Sequence, residues 1–251
     1  MSGNAGRNAR ALAFALVMLF ASPFAWAQQV VTLQVGGKDV RIEVPDGYLR
    51  MSVAQPQLFE VTSAAIPPGN RLLEGFVSEA DAKRMLAGMS AEQAGYQVQA
   101  LRNAEALTFS DSDWETLRPA IARSLRETDM NTVAHALSDG SAERMGGALG
   151  MKVGLEFGDI GKPQLYHDEK DSLRFVMLVP GTISVAGVQR QLAIECAGAV
   201  LPLGGKVVFL YVYRKHEDGQ DSSVSRATLD QFVERALALN DAGAPAPAAS
   251  P

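Results

Sequence analysis

The 251-residue sequence has one cysteine, Cys196, and three histidines, His135, His167 and His216. A lone cysteine forms no internal disulfide, and the chain has no Cys-x-x-Cys pair and no Cys/His metal spacing. Redox exchange and a structural zinc site are thereby disfavoured. No Gly-x-Ser-x-Gly elbow and no Walker loop is present, and no cofactor motif, so no cofactor is expected. Gly146-Gly147-Ala148-Leu149-Gly150 lacks the lysine of a phosphate loop and reads as a flexible connection. The sequence has no basic run and no apolar stretch beyond its first residues long enough to cross a bilayer, which takes about 20 residues.

The first 27 residues read as a signal peptide. Arg7 and Arg10 stand in a start without acidic residues, Ala11 to Ala21 is apolar, and Ala25-Trp26-Ala27 places small residues where a signal peptidase reads them. Cleavage is expected after Ala27, giving a periplasmic or secreted protein, with an uncleaved anchor as the alternative. The segment takes two of the 23 basic residues and none of the 28 acidic ones, so the remainder carries 21 against 28, a net −7. Such a chain has no general attraction for nucleic acid or anionic lipid. Residues 28–241 are expected to form one domain. The Ala/Pro-rich stretch 242–251 is expected to be disordered, because it buries too little surface to offset ordering.

Lys206 to Tyr213 reads as the central strand. Val207, Phe209, Tyr211 and Tyr213 point to one face and Val208, Leu210 and Val212 to the other, so both faces need cover. Leu173 to Val179, apolar on both faces except at Arg174, precedes it, followed by the strand with Leu192, Ile194 and Cys196 on one face. Turns at Ala186-Gly187 and Gly204-Gly205 make these three an antiparallel meander. Shorter strands are expected near 71–77, 96–101, 151–157 and 164–166. At the start, Val31, Leu33, Val35 and Val40, Ile42, Val44 alternate around Gly36-Gly37, a β-hairpin pattern.

Helices are expected at 57–65, briefly after Ser78-Glu79-Ala80-Asp81 to near Gly88, and from a capping box at Ser112-Asp113-Trp114-Glu115. Trp114, Leu117, Ile121 and Leu125 form its apolar stripe, which Pro119 should kink. Met130 to Leu137 continues as a second piece, with Asp139-Gly140-Ser141 as a breaker. A last helix carries Leu229, Phe232, Val233, Ala236 and Leu237, starting at Thr228 or near Ser225. The order strands, helices, strands, helix gives an α+β class, a mostly antiparallel sheet with helices on both faces.

Chemistry-bearing residues are sparse. His167, Asp168 and Asp171 share one acidic loop, and His216, Asp218 and Asp221 another. Were the loops to meet, they would offer His and carboxylate ligands to Ca²⁺ or Zn²⁺, although solvated turns have the same composition. His135 sits among alanines and reads as a surface or cap residue. Cys196 lies on an apolar strand face and reads as core. Tyr48, Tyr211 and Tyr213 are candidates for lining a pocket or for core. Ser184, His167 and Asp171 stand as placeholders for a hydrolase set that only folding could assemble.

Val44-Pro45-Asp46-Gly47-Tyr48, where a strand runs into a Pro-x-Gly-aromatic turn, resembles the opening of PsbP-like domains. The late meander ending in Val207 to Tyr213, followed by the helix over 228–240, is similar to the same superfamily, which includes bacterial DcrB-like envelope proteins. The resemblance implies an α/β/α sandwich around an antiparallel sheet. It implies no shared catalytic set, and the stretch 80–150 is richer in helix than that pattern. The leading functional expectation is a non-enzymatic exported domain that binds an envelope protein. A small-ligand or metal binder and an unrecognised hydrolase are the alternatives.

Overall fold

The computed structural model describes residues 29–86, 89 and 91–241, leaving aside the side chains of residues 135–137 and 139. The expected signal peptide (1–27) and the expected disordered tail (242–251) lie outside the described residues, as does the side chain of His135. Among the described residues ten strands and six helices follow in order: β1 (Val30–Val35), β2 (Lys38–Glu43), β3 (Tyr48–Arg50), α1 (Met51–Ala54), α2 (Pro56–Ala65), β4 (Asn70–Ser78), α3 (Glu79–Leu86) and β5 (Gly95–Leu101). Then come α4 (Asp111–Glu127), α5 (Met130–Leu149), β6 (Val153–Phe157), β7 (Gln164–Glu169), β8 (Ser172–Val185), β9 (Val188–Leu203), β10 (Lys206–Lys215) and α6 (Ser223–Asn240).

Eight strands make one antiparallel sheet in the order β3-β4-β5-β10-β9-β8-β6, with β7 also paired to β8. The central position falls to β10, between β5 and β9. Its alternation decides the layers. Val208, Leu210 and Val212 are fully buried with Leu229, Phe232, Val233 and Ala236 of α6 and with the inward residues of the β1–β2 hairpin. Val207, Phe209 and Tyr211 face the other way, against Trp114, Leu117 and Ile121 of α4. At the β4 edge Phe76 joins the first core, while its neighbour Val77 packs with Met51 and Leu58 of α1 and α2. The molecule is therefore α+β, a mostly antiparallel sheet with helices on both faces, and the hairpin shares one face with α6.

The hairpin turns at Gly36 (φ 52°) and Gly37 (φ 78°), left-handed positions that glycine takes without a Cβ clash. Two helices depart from the sequence expectation. The capping box of α4 is built by Ser110 and Asp113, two residues upstream of the expected cap Ser112, and Pro119 stays inside one continuous helix. The expected breaker Asp139-Gly140-Ser141 is helical. Ser141 Oγ donates to Ala65 O (3.1 Å), and Arg144 donates to Ala64 O (2.9 Å) and Ile66 O (3.0 Å). These bonds satisfy the open carbonyls at the C-terminus of α2, so docking outweighs the local preference for a break. The helix then ends at Gly150 in the left-handed conformation.

Strands β6 and β7 both pair with β8, at its far and near ends. The far half of β8 and the near half of β9 thus extend beyond β10, forming an arm with β6. Among the described residues no helix is long and apolar enough to cross a membrane.

Candidate functional site

The two acidic loops end up at opposite ends of the central strands. Asp171 precedes β8, whereas the His216 N–H donates to Ala193 O (2.7 Å), and Ala193 pairs with Pro180. Nine residues of strand separate those levels, about 30 Å at ~3.3 Å per residue. His167, Asp168 and Asp171, the metal candidates of one loop, are therefore not brought together with His216, Asp218 and Asp221 of the other. Among the described residues no group of three or more His, Cys, Asp or Glu side chains is placed to hold a metal ion. The placeholder Ser184 is equally remote, ten residues along β8 from Arg174, the strand partner of His167.

Most of the loop residues instead make local contacts. Asp221 accepts from the Ser223 N–H (2.9 Å) at the start of α6, and that bond, on side chain and backbone, lowers its pKa. Asp218 is exposed. His167 Nε2 lies 2.9 Å from Asp171 Oδ1. Burial works to raise the Asp171 pKa, but the His167 hydrogen bond and the His167 and Arg174 charges outweigh it and hold the carboxyl below its ordinary value. Arg174, the polar exception in its strand, is buried. Its guanidinium donates to Ser172 Oγ (2.9 Å), Asp230 Oδ1 (2.9 Å) and Asp171 Oδ2 (3.1 Å). Tyr166 OH donates to the same Asp230 oxygen (3.0 Å), and Arg226 lies over the Tyr166 ring at 5.1 Å. Every guanidinium nitrogen of Arg174 is thus bonded, and this cluster ties β7 and β8 to α6.

The tyrosines do not share a pocket. Tyr48 packs edge-on to Tyr96 (4.9 Å between centroids, 89°) beside a small cavity of ≈ 190 Å³ near Asp46 and Arg235, and burial pushes its hydroxyl up to about 12. Tyr211 and Tyr213 stand on the other face, stacked at 5.8 Å. The Cys196 thiol beside them is buried, and burial pushes it up to about 12, which removes the thiolate a nucleophile requires.

Strand alternation turns Asp168 the other way, towards α4. There a wide hollow of ≈ 660 Å³ opens between α4 and β7, lined by Arg118, Arg123, Arg126 and Asp168 around Pro119 and Ala122. Helical spacing puts Arg118, Ala122 and Arg126 on one flank, four residues apart. Arg118 Nη1 donates to Asp168 Oδ1, and Arg126 Nη2 donates to Asp168 Oδ2 (3.2 Å). Arg118 Nε is buried without a hydrogen-bond partner, and Arg123 makes no ion pair among the described residues. Three guanidiniums against Asp168 and Glu127 make this a positive recess on a chain of net charge −5. Its chemistry is that of anion binding: planar, permanently charged donors that match a carboxylate or phosphate. The sequence held this signal in the 118/122/126 spacing, on the flank next to the apolar stripe, but Asp168 as the facing group came only with the fold.

What fold and hollow define is an α+β domain with a basic recess on one helix flank. No family model matches the chain, and no curated protein matches it. Two solved structures align with it at 10% identity and a TM-score of 0.33. One is a mutant of the protein Mog1, covering 83% of this chain and 93% of that one. The other is cyanobacterial PsbP (CyanoP) from Synechocystis sp. PCC 6803, covering 86% and 95%. A TM-score of 0.33 is too low for either likeness to support a conclusion about fold or function.

Proposed function

We propose that this protein is a non-enzymatic exported interaction domain, residues 28–241 freed from the signal peptide 1–27, and that the arginine-lined hollow receives an acidic group of an envelope partner. The observation that carries the reading is the treatment of Asp168. Arg118 and Arg126 already grip one carboxylate from two sides, while Arg123 beside them pairs with no carboxylate among the described residues. An acidic chain gains a local field of opposite sign here, which steers and orients an acidic partner.

The test is affinity capture from the organism's own envelope extract, with the mature chain as bait. Arg118→Gln, Arg123→Gln and Arg126→Gln combined should abolish recovery of the partner that the wild type retains, with the circular dichroism spectrum unchanged. Capture by the wild type should fall as salt rises, as for charge-steered contacts. Equal recovery on both baits would remove the hollow from the reading. A bait that retains only background proteins at low salt would count against an interaction domain altogether.

A further inference from the structure

The arm beyond β10 carries an open sheet edge. β9 pairs with β8 from Val188, opposite Val185, to Val200, opposite Leu173. β10 pairs with β9 only from Ile194 onward. The His216 N–H still donates to Ala193 O (2.7 Å), and there the β10 side of the ladder ends. Backbone groups along a strand alternate between its two neighbours, so the N–H and C=O of Gln189 and Gln191 point the same way as those of Ala193, away from β8. Among the described residues nothing bonds to them on that side. Val188, Gln189, Arg190 and Gln191 are exposed, and Leu192 is half-buried.

An exposed edge attracts another strand, and proteins guard such edges with proline, bulges or charge. Residues 188–192 contain no proline, and the β8–β9 register runs through them without a bulge. Arg190 is the one charge among them, and it forms no ion pair among the described residues. That charge decides which strand fits. A second copy pairing edge to edge must run antiparallel with its open N–H and C=O groups matched. With Gln191 opposite itself, Gln189 meets Ala193, where His216 already stands. With Gln189 opposite itself, Gln191 meets the turn residue Gly187 (φ 83°), outside the strand. With Gln189 opposite Gln191, every open group is matched, but Arg190 directly faces Arg190 of the second copy. Like charges directly opposite are destabilising, so the edge is guarded against its own kind.

We infer that this edge of β9, residues 188–192, receives an extended segment of a partner protein by strand addition, and that the segment carries an acidic residue opposite Arg190. The same guanidinium that repels a second copy attracts such a segment. The pleat specifies the rest: Val188, Arg190 and Leu192 point to one face, Gln189 and Gln191 to the other. A segment reading apolar-polar-acidic-polar-apolar sets its carboxylate against Arg190 and its apolar side chains against Leu192 and Val188, which is 58% exposed. Its polar residues lie beside the glutamines. Its backbone closes the ladder on Gln189 and Gln191, and the side chains supply the selectivity. The edge and the arginine hollow lie at opposite ends of β8, since Arg190 pairs with Ile183 and Asp168 with Leu173. Strand addition therefore does not rest on the hollow.

The probe is the end-capped peptide Thr-Val-Thr-Glu-Thr-Val-Thr at millimolar concentration and low salt, with Thr-Val-Thr-Lys-Thr-Val-Thr as its control. Hydrogen exchange of the mature chain is followed at the Gln189 and Gln191 amides. The glutamate peptide should slow both at least about fivefold, and the lysine peptide should leave them unchanged. Arg190→Glu should reverse that preference. Gln191→Pro removes an open donor without removing a bond to β8, and it should abolish the slowing. Unchanged exchange in β8 shows that the arm is folded in each variant. Should Gln191→Pro lose it, Arg190→Glu, a change on an exposed side chain, decides the matter. No slowing with either peptide, equal slowing with both, or slowing that survives Gln191→Pro in a folded arm overturns the inference. Slowing at these amides that grows with protein concentration and needs no peptide overturns it as well, because a second copy then fills the edge.

Discussion

Arg174 shows what a single side chain does in this molecule. Its charge is buried in the sheet, where an unpaired guanidinium would be strongly unfavourable, and three acceptors, from β8, the turn before it and α6, surround it. Arg174→Met keeps the volume and removes the donors. Asp171 and Asp230 are each 35% exposed and partly rehydrate, so the expected loss is about 2–3 kcal/mol, less than the ~3–5 for breaking a fully buried pair. Urea unfolding measures it. Since the Asp171 pKa is lowered in the fold, its share of stability is present above about pH 4, the unfolded value, and is lost as pH falls through the depressed folded value. The difference between wild type and Arg174→Met should accordingly narrow in acid. An unchanged gap at pH 3 would mean that packing, and not charge, is what Arg174 supplies. In the sequence Arg174 stood out as one charge in a strand apolar on both faces. Its partners did not, because Asp230 lies 56 residues away on another element.

At the scale of elements, the strands and turns were more legible than the helices. Period-two alternation and Gly-Gly or Ala-Gly turns are local, and the hairpin, the meander and the central place of β10 followed from them. The middle of the chain was less legible because tertiary contacts overrode local signals. Gly140 sits inside α5, whose docking on the carbonyls of α2 no single-helix pattern encodes. Pro119 sits inside α4, where the Trp114, Leu117 and Ile121 packing keeps the helix whole at the expense of one backbone hydrogen bond. An interior proline costs a helix ~3 kcal/mol and returns up to ~1 by stiffening the unfolded chain. Pro119→Ala is therefore expected to raise stability by about 2 kcal/mol, seen as a higher urea midpoint at an unchanged slope. The arginine hollow was hidden for the same reason as Gly140: one wall is a helix flank, and the other is a strand 50 residues on. A stability loss in Pro119→Ala would show that the proline ring supports the hollow and the path of α4 rather than straining them.

At the scale of the whole molecule, the two ends of the described chain hold each other. An isolated two-stranded hairpin is marginal in water, and β1–β2 pairs with no other strand among the described residues. Its inward residues, Val31, Leu33, Val35, Val40 and Ile42, are buried in the core that α6 shares. Asn240, in the last turn of α6, completes the β2 edge as a neighbouring strand would. Its Nδ2 donates to Arg41 O (2.6 Å), and its Oδ1 accepts from Arg41 N–H (2.9 Å). Arg235 donates to Glu43 Oε1 (2.6 Å) one turn earlier. Hairpin and C-terminal helix thus form one unit built from opposite ends of the sequence, and neither can leave without exposing the apolar face of the other. Asn240→Ala removes both amide bonds to Arg41, along with the Nδ2 bond to Ala236 O within the helix, and should cost about 1–2 kcal/mol. The decisive readout is where exchange accelerates. Amides of residues 30–43 and the last turns of α6 should speed up together, while the β8–β9 arm beyond β10 keeps its rate. Acceleration confined to the helix end would mean that the hairpin is held by its apolar contacts alone. Acceleration spread evenly over the sheet would mean that these ends are not a separate unit, and that residues 29–241 open only as a whole.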